Sequence, residues 1–304
     1  MSDTFALKYK INMKYFFSFL IVLTSAIGFS QGRFDDVEIK SEKLSENVYV
    51  LFGAGGNIGV SVGEDGVFVI DDQFAPLSEK ILAKIKTLSD KPLKFLVNTH
   101  WHGDHAGGNE NMAKAGATII AHNNVKTRLL NPRRDGSNNP KEALPVITFK
   151  EQLYITINGE PVGVFHVANA HTDGDAMLYF TESNILHTGD TYFKGRYPYI
   201  DLNSGGSVNG YIEAVKRGFI LVDDGTKIIP GHGTIANKED YRAFLKMLET
   251  LKANISQAIA EGKTEDEVKA DESLTKEYDD LGYGSGFINS ERIRVTFYQS
   301  LKGK

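Results

Sequence analysis

The sequence predicts an α+β fold in which two sheets stack face to face and helices cover both outer faces, a four-layer sandwich. Three observations carry this. Segments of period-two hydrophobicity give way to segments of helical period twice along the chain, so each sheet has helices of its own. The strand-like segments are short and separated by turns rich in glycine and asparagine. Four of them run into a turn that bears histidine or aspartate, which places the chemistry at one sheet edge. At 304 residues, 41% of them hydrophobic, the chain is long enough for a substantial core.

Met13-Lys14 is followed by an apolar run at 15–29, and Gly28-Phe29-Ser30 offers small residues before Gln31. This pattern predicts an N-terminal extension and signal peptide over 1–30, cleaved near Ser30, and a periplasmic or secreted protein. Residues 31–304 are then one domain, with a helical extension from about 240 to the end. The apolar run is short for a bilayer, and the absence of cysteine excludes a lipidated anchor, so no stable membrane anchor is expected. The same absence excludes disulfides and thiolate ligands. Net charge is −5 and the basic residues are dispersed, which argues against nucleic acid and leaves a small molecule as the expected partner.

From 37 to 72 the alternation predicts antiparallel strands at 47–52, 58–62 and 67–70, turned by 53–56 and by Gly63-Glu64-Asp65-Gly66. Pro76 precedes a helix at 77–88, where Leu77, Ile81, Leu82, Ile85 and Leu88 share a face. Residues 93–98 are apolar on both sides and predict a central strand. A short helix at 109–115, a strand at 118–121 and a helix at 123–130 continue the α/β alternation, and 131–140 reads as an exposed loop. Residues 153–157 and 162–167 flank Asn158-Gly159, a hairpin dipeptide. Two short strands, 177–180 and 184–187, precede a long polar and aromatic loop at 191–207. A helix at 208–222, a strand at 227–229 and helices from 238 onward complete the chain. In the last part Tyr241, Phe244, Leu245, Leu248 and Leu251 form a helical stripe.

The chemistry centres on Thr99-His100-Trp101-His102-Gly103-Asp104-His105-Ala106-Gly107-Gly108. Three imidazoles and a carboxylate within six residues are costly to bury unless they are paired or bind metal, and the stretch points to metal. His100 and His102 point to one side of an extended segment, while Asp104 and His105 follow on the turn and reach toward a second ion. The same design recurs at His171, Asp190 and His232. Each follows a strand and lies beside glycine, at Gly174, Gly189, Gly231 and Gly233. Histidine and carboxylate suit zinc, so two zinc ions are expected, sharing a hydroxide whose pKa falls toward 7. Asp104 is expected to orient that nucleophile and pass its proton on.

These residues resemble the metallo-β-lactamase superfamily: His100-x-His102-x-Asp104-His105, His171, Asp190 in Thr-Gly-Asp, and His232 in Pro-Gly-His-Gly. The resemblance covers the chain from about 31 to 240. It implies an αβ/βα sandwich of two mixed sheets, with His100, His102 and His171 on one zinc, Asp104, His105 and His232 on the other, and Asp190 bridging. The helices over 261–304 resemble a cap seen in many uncharacterised bacterial members.

Tyr192, Tyr197, Tyr199, Lys194, Asn203 and Asn209 are candidates to hydrogen-bond an oxyanion or a substrate carboxylate. His122, His166 and His187 lie in or beside strands and read as structural. Asp71, Asp72, Asp173 and Asp175 are candidates to orient an imidazole. The resemblance implies hydrolysis. Members with a cysteine zinc ligand have that cysteine where this chain has Asp190, and a substrate-gripping lysine three residues past it, where this chain has Lys194 four past. The expected reaction is opening of a cyclic amide or ester, with a β-lactam first and a lactone or thioester, as in glyoxalase II, as the alternative. An iron oxidoreductase and a noncatalytic metal-binding module are the remaining readings.

Overall fold

A computed structural model describes residues 32–132 and 136–303. The predicted signal peptide over 1–30 lies outside the described residues. The chain divides into two compact units, Met1–Asp36 and Val37–Lys304. In the first, residues 33–36 form a turn.

The first sheet runs β1 (Lys40–Lys43), β2 (Val48–Phe52), β3 (Ile58–Gly63), β4 (Gly66–Ile70), β5 (Leu93–Asn98), β6 (Thr118–His122) and β7 (Ile147–Phe149), in that spatial order. Pairing is antiparallel from β1 to β4 and parallel from β4 to β7, so the sheet is mixed as expected. The switch follows from connection length: turns join the early strands, whereas α1 (Ser78–Leu88), then α2 (Gly103–Ala106) with α3 (Asn109–Lys114), make the crossovers that parallel pairing requires. α4 (Asn123–Leu129) follows β6 and buries Val125 and Leu129 beside Ala121.

The second sheet contains β8 (Gln152–Ile157), β9 (Glu160–His166), β10 (Ala176–Phe180), β11 (Ile185–His187) and β12 (Lys227–Ile229), in the order β12-β11-β10-β9-β8. Only β11 and β12 pair in parallel, across α5 (Val208–Leu221). The Asn158-Gly159 hairpin has both residues in the left-handed region, at φ 53° and 85°, as its tight turn requires. The Asn158 amide also donates to Ser61 Oγ and the Gly66 carbonyl, tying this hairpin to the first sheet.

Between the sheets, Val50, Phe68, Ile70 and Val97 meet Val162, Val164, Leu178, Phe180 and Ile229 in one buried cluster. Phe68 and Phe180 contact edge to face with ring centroids 6.2 Å apart. The other face of the second sheet carries Phe165, Met177, Leu186 and Ile228, and packs against α5, α6 (Lys238–Ala260) and α9 (Ser290–Lys302) through Tyr211, Val215, Phe244, Leu248 and Phe297. α7 (Glu265–Ala270) and α8 (Lys276–Asp279) add Val268 and Tyr278 to the same cluster. The predicted C-terminal extension is therefore part of a structural layer, because its apolar stripe covers the second sheet. Asn237 and Asp240 start α6 with a reciprocal capping box.

Two strands carried no readable signal. β1 is Lys-Ser-Glu-Lys and exposed at every position, a charged edge that discourages pairing with another chain, and β7 is three residues long. Replacement of Phe180 by alanine should lower the unfolding free energy by about 3–5 kcal/mol, read as a shift of the urea midpoint at unchanged slope.

Candidate metal centre

β5 ends at Asn98 and hands the chain to an extended stretch, in which His102 (φ −64°, ψ 148°) precedes the single turn of α2. Alternation puts the His100 and His102 rings on one side, 4.9 Å apart, and the turn then swings Asp104 and His105 to a second position. The link from β9 to β10 brings His171, the turn after β11 brings Asp190, and the segment after β12 brings His232. All are placed by strand ends of a rigid double sheet.

The ligand atoms fall into two groups, His100, His102, His171 and Asp190 in one and Asp104, His105 and His232 in the other. Within each group they lie within 4.8 Å of one another. Asp190 faces both. Its Oδ2 is 3.5 Å from His171 Nε2 and 3.8 Å from His100 Nε2, while its Oδ1 is 3.0 Å from His105 Nε2 and 3.4 Å from His232 Nε2. His232 Nε2 is also 3.4 Å from Asp104 Oδ2. The residues expected from the sequence to share two ions thus meet around one carboxylate.

The arrangement fits metal. His100 Nε2 is buried without a hydrogen-bond partner, and His102 Nδ1 faces His171 Nε2 at 2.8 Å. Burial, followed by the neighbouring His105 charge, holds the His100 imidazole well below its usual pKa, and burial holds His171 down to about 4. Both are neutral, the form that ligates. On the other side, burial opposes protonation of His105 and His232, but the Asp190 carboxylate and neighbouring carboxylates overcome it. His105 is raised well above the usual range and His232 to about 9. Protons there supply positive charge that a divalent cation would replace. Asp190 would be raised by burial, yet the His105 and His232 charges hold it well below the usual carboxylate range.

The outward nitrogens of three of the imidazoles are also held. His105 Nδ1 lies 2.7 Å from Asp71 Oδ2, His102 Nε2 3.0 Å from Asp201 Oδ2, and His171 Nδ1 donates to the Tyr199 carbonyl at 2.7 Å. Thr99 donates its N–H and hydroxyl to the two oxygens of Asp71, at 2.7 Å each, so one carboxylate steadies both the loop and a ligand. Asp71 does this from the left-handed region, at φ 63°. Close approach demands glycine twice: a side chain at Gly56 would collide with the His105 ring, and one at Gly231 with Asp190 Oδ1.

Of the other candidates, Tyr199 reaches the cluster, its ring stacked on His102 at 5.8 Å and 5.6 Å from His171. Tyr192 does not. It is buried against Tyr241 and Phe244 because α6 draws its ring into the outer core. Lys194 is also turned away, donating to the Ile235 carbonyl and pairing with Asp240 of α6 at 2.8 Å. Tyr197 bonds to Asp279 and the Thr275 carbonyl. Asn203 is exposed on the turn Leu202–Ser204, and the residue flanking it whose side chain reaches a ligand is Asp201. Asn209 is exposed on the first turn of α5.

Among the carboxylates expected to orient imidazoles, Asp71 does so. Asp72 instead accepts from Gly108 N, Asp173 pairs with Arg128, and Asp175 accepts from Thr172. Asp201 had no readable signal, since it lies 99 residues from its partner in a loop. His122 caps α4 and donates to the Lys150 carbonyl, His166 bonds to the Asp175 carbonyl and stacks on His122, and His187 bonds to the Asn57 carbonyl and Gly189 N. All three have structural partners.

Two outcomes follow from this geometry. Asp201→Asn should weaken metal affinity by about 10–100-fold, measured by chelator competition, while leaving the thermal midpoint of metal-free protein within a few degrees. Because neighbouring carboxylates raise His105 and His232 above the usual imidazole range and both must be unprotonated to ligate, metal binding near pH 7.5 should release protons, and affinity should rise with pH through about 9, where His232 titrates. Calorimetry in buffers of different ionisation enthalpy reads the proton count.

Comparison with known proteins agrees with the fold. The chain is 24% identical over 227 residues to the 2,4-dinitroanisole O-demethylase subunit alpha of Nocardioides sp. (strain JS1661), covering 73% of this chain and 66% of that one. It is 33% identical over 112 residues to a hydroxyacylglutathione hydrolase of Pelagibacter ubique (strain HTCC1062), covering 36% and 41%. The chain thus spans less than two thirds of the length of either relative. The metallo-beta-lactamase from Pontibacter korlensis superposes with a TM-score of 0.60 at 19% identity, covering 70% of this chain and 99% of that one, a likeness of fold. The metallo-beta-lactamase superfamily model matches residues 51–255, which contain every residue of both ligand groups, and the chain belongs to that superfamily.

Proposed function

We propose that this protein is an exported hydrolase that holds two zinc ions and opens a cyclic amide or ester, a β-lactam being the first substrate to try. The observation that carries this reading is Asp190, whose two oxygens face two separate sets of imidazoles. His100, His102 and His171 would hold one ion and Asp104, His105 and His232 the other, with Asp190 between them. When bound, such a pair supplies a Lewis acid for the carbonyl and lowers the pKa of an attacking water toward 7.

The side chains do the rest. Asp190 and Asp104 are held ionised against their burial, Asp104 chiefly by the His105 and His232 charges. Asp104, with its side chain 28% exposed, is the more open of the two carboxylates and is placed to take a proton from the nucleophile and return it to the leaving group. The imidazoles contribute no competing acid on the first side, because His100 and His171 stay neutral. The apolar run at 15–29 supports export to the periplasm or beyond the cell.

A second reading, hydrolysis of a thioester, is favoured by the likeness to a hydroxyacylglutathione hydrolase and by the position of Lys194, which is committed to Asp240 and offers no grip on a drug carboxylate. Metal content of the purified protein, followed by turnover of a chromogenic cephalosporin beside a panel of lactones and thioesters, separates the two. Zinc at about two per chain is expected. His102→Ala and Asp190→Ala should each lower kcat/KM on the accepted substrate by more than about a hundredfold. Equal turnover by metal-stripped protein would sink the proposal.

A further inference from the structure

Residues beyond 255, where the family match ends, supply side chains at the rim of the metal cluster. Tyr199 stacks on His102, and its outer side meets Phe287 edge to face with centroids 5.8 Å apart. The Arg292 guanidinium lies over both rings, 5.1 Å from the centre of Tyr199 and 4.7 Å from that of Phe287. Phe287 is 75% exposed, although Ile288 next to it is 2% exposed. A phenyl ring held in water beside an anchored neighbour costs hydration free energy that a ligand would recover.

The segment is fixed in place. Tyr197 N–H donates to the Tyr283 carbonyl, Tyr197 Oη and Ser290 Oγ both bond Asp279, and Asn289 caps α9 by accepting from Arg292 N. The loop that carries Tyr199 and the helix that carries Arg292 are thus tied to each other. Arg292 is exposed, and no carboxylate pairs with it among the described residues. A guanidinium stacked on aromatic faces keeps its N–H fork free and already oriented for a carboxylate. Arg196 is exposed nearby, its aliphatic stem close to Gly286. Lys194, one of the candidates for a substrate carboxylate in the sequence, is committed to the Ile235 carbonyl and Asp240.

We propose that Tyr199, Phe287 and Arg292 form the specificity wall of the site and select substrates that carry an apolar, preferably aromatic, group and one carboxylate. Phe287 and Tyr199 cover the apolar part, and Arg292 pairs with the anion in the plane of its fork. This rests on the hydrolase reading only in calling the ligand a substrate.

The test reads binding without turnover, so a protein inactive on every substrate tried still gives an answer. Titration calorimetry on zinc-loaded protein compares phenylpropionate with its neutral counterpart phenylpropionamide. Wild type should bind the acid at least about tenfold more tightly than the amide. Arg292→Gln should reduce that ratio to about twofold or less, Arg292→Lys should retain part of it, and Phe287→Ala should weaken both ligands by about three- to tenfold. A wild-type ratio near one overturns the proposal. So does a ratio that survives Arg292→Gln, since the metals alone would then be capturing the carboxylate.

Discussion

The constraint on which the structure depends is the convergence of buried ligand atoms on Asp190. Neutral imidazole nitrogens and a buried carboxylate that lack hydrogen-bond partners each cost on the order of 1–3 kcal/mol unless something positive takes their place. This chain buries His100, His105, His171 and Asp190 together. A chain shaped for stability alone would not collect them. What offsets the cost is positive charge on His105 and His232, both raised by the surrounding carboxylates, a charge that a divalent cation would replace.

The two sheets make that convergence possible. Strand ends from β5, β9, β11 and β12 meet at one rim, and the apolar cluster between the sheets fixes their separation. The loops beyond the rim are steadied by local devices: Asp71 in a left-handed conformation, Gly56 and Gly231 where no side chain fits, and hydrogen bonds accepted by the Asp201 carboxylate and the Tyr199 carbonyl. The stability of the layers and the strain at the site are therefore coupled. A loop held this firmly keeps its ligands oriented before any ion arrives, which reduces the ordering that binding must pay for.

The outer helical layer has two roles. Through Phe244, Leu248 and Phe297 it covers the second sheet, and through Tyr197 and its bonds to Asp279 and Thr275 it anchors the loop at 191–207. That loop in turn carries Tyr199 beside His102, so helices far along the chain determine what stands next to the metal cluster.

By itself the sequence determined most of the elements and the set of residues that gather around Asp190. Hydrophobic period, turn dipeptides and the two-residue spacing of His100 and His102 act through neighbours a few residues apart, and such short-range signals survive in a linear string. The strands β1 and β7 escaped because a charged edge and a three-residue strand have no period to read. Only the tertiary structure decided which side chains of the loop at 191–207 face the cluster. Tyr192 and Lys194 look like site residues in sequence but are drawn to α6, whereas Asp201, Phe287 and Arg292 look ordinary and stand at or beside it. Their placement depends on contacts across as many as 99 positions, fixed by sheet register and helix packing, and no local pattern encodes those.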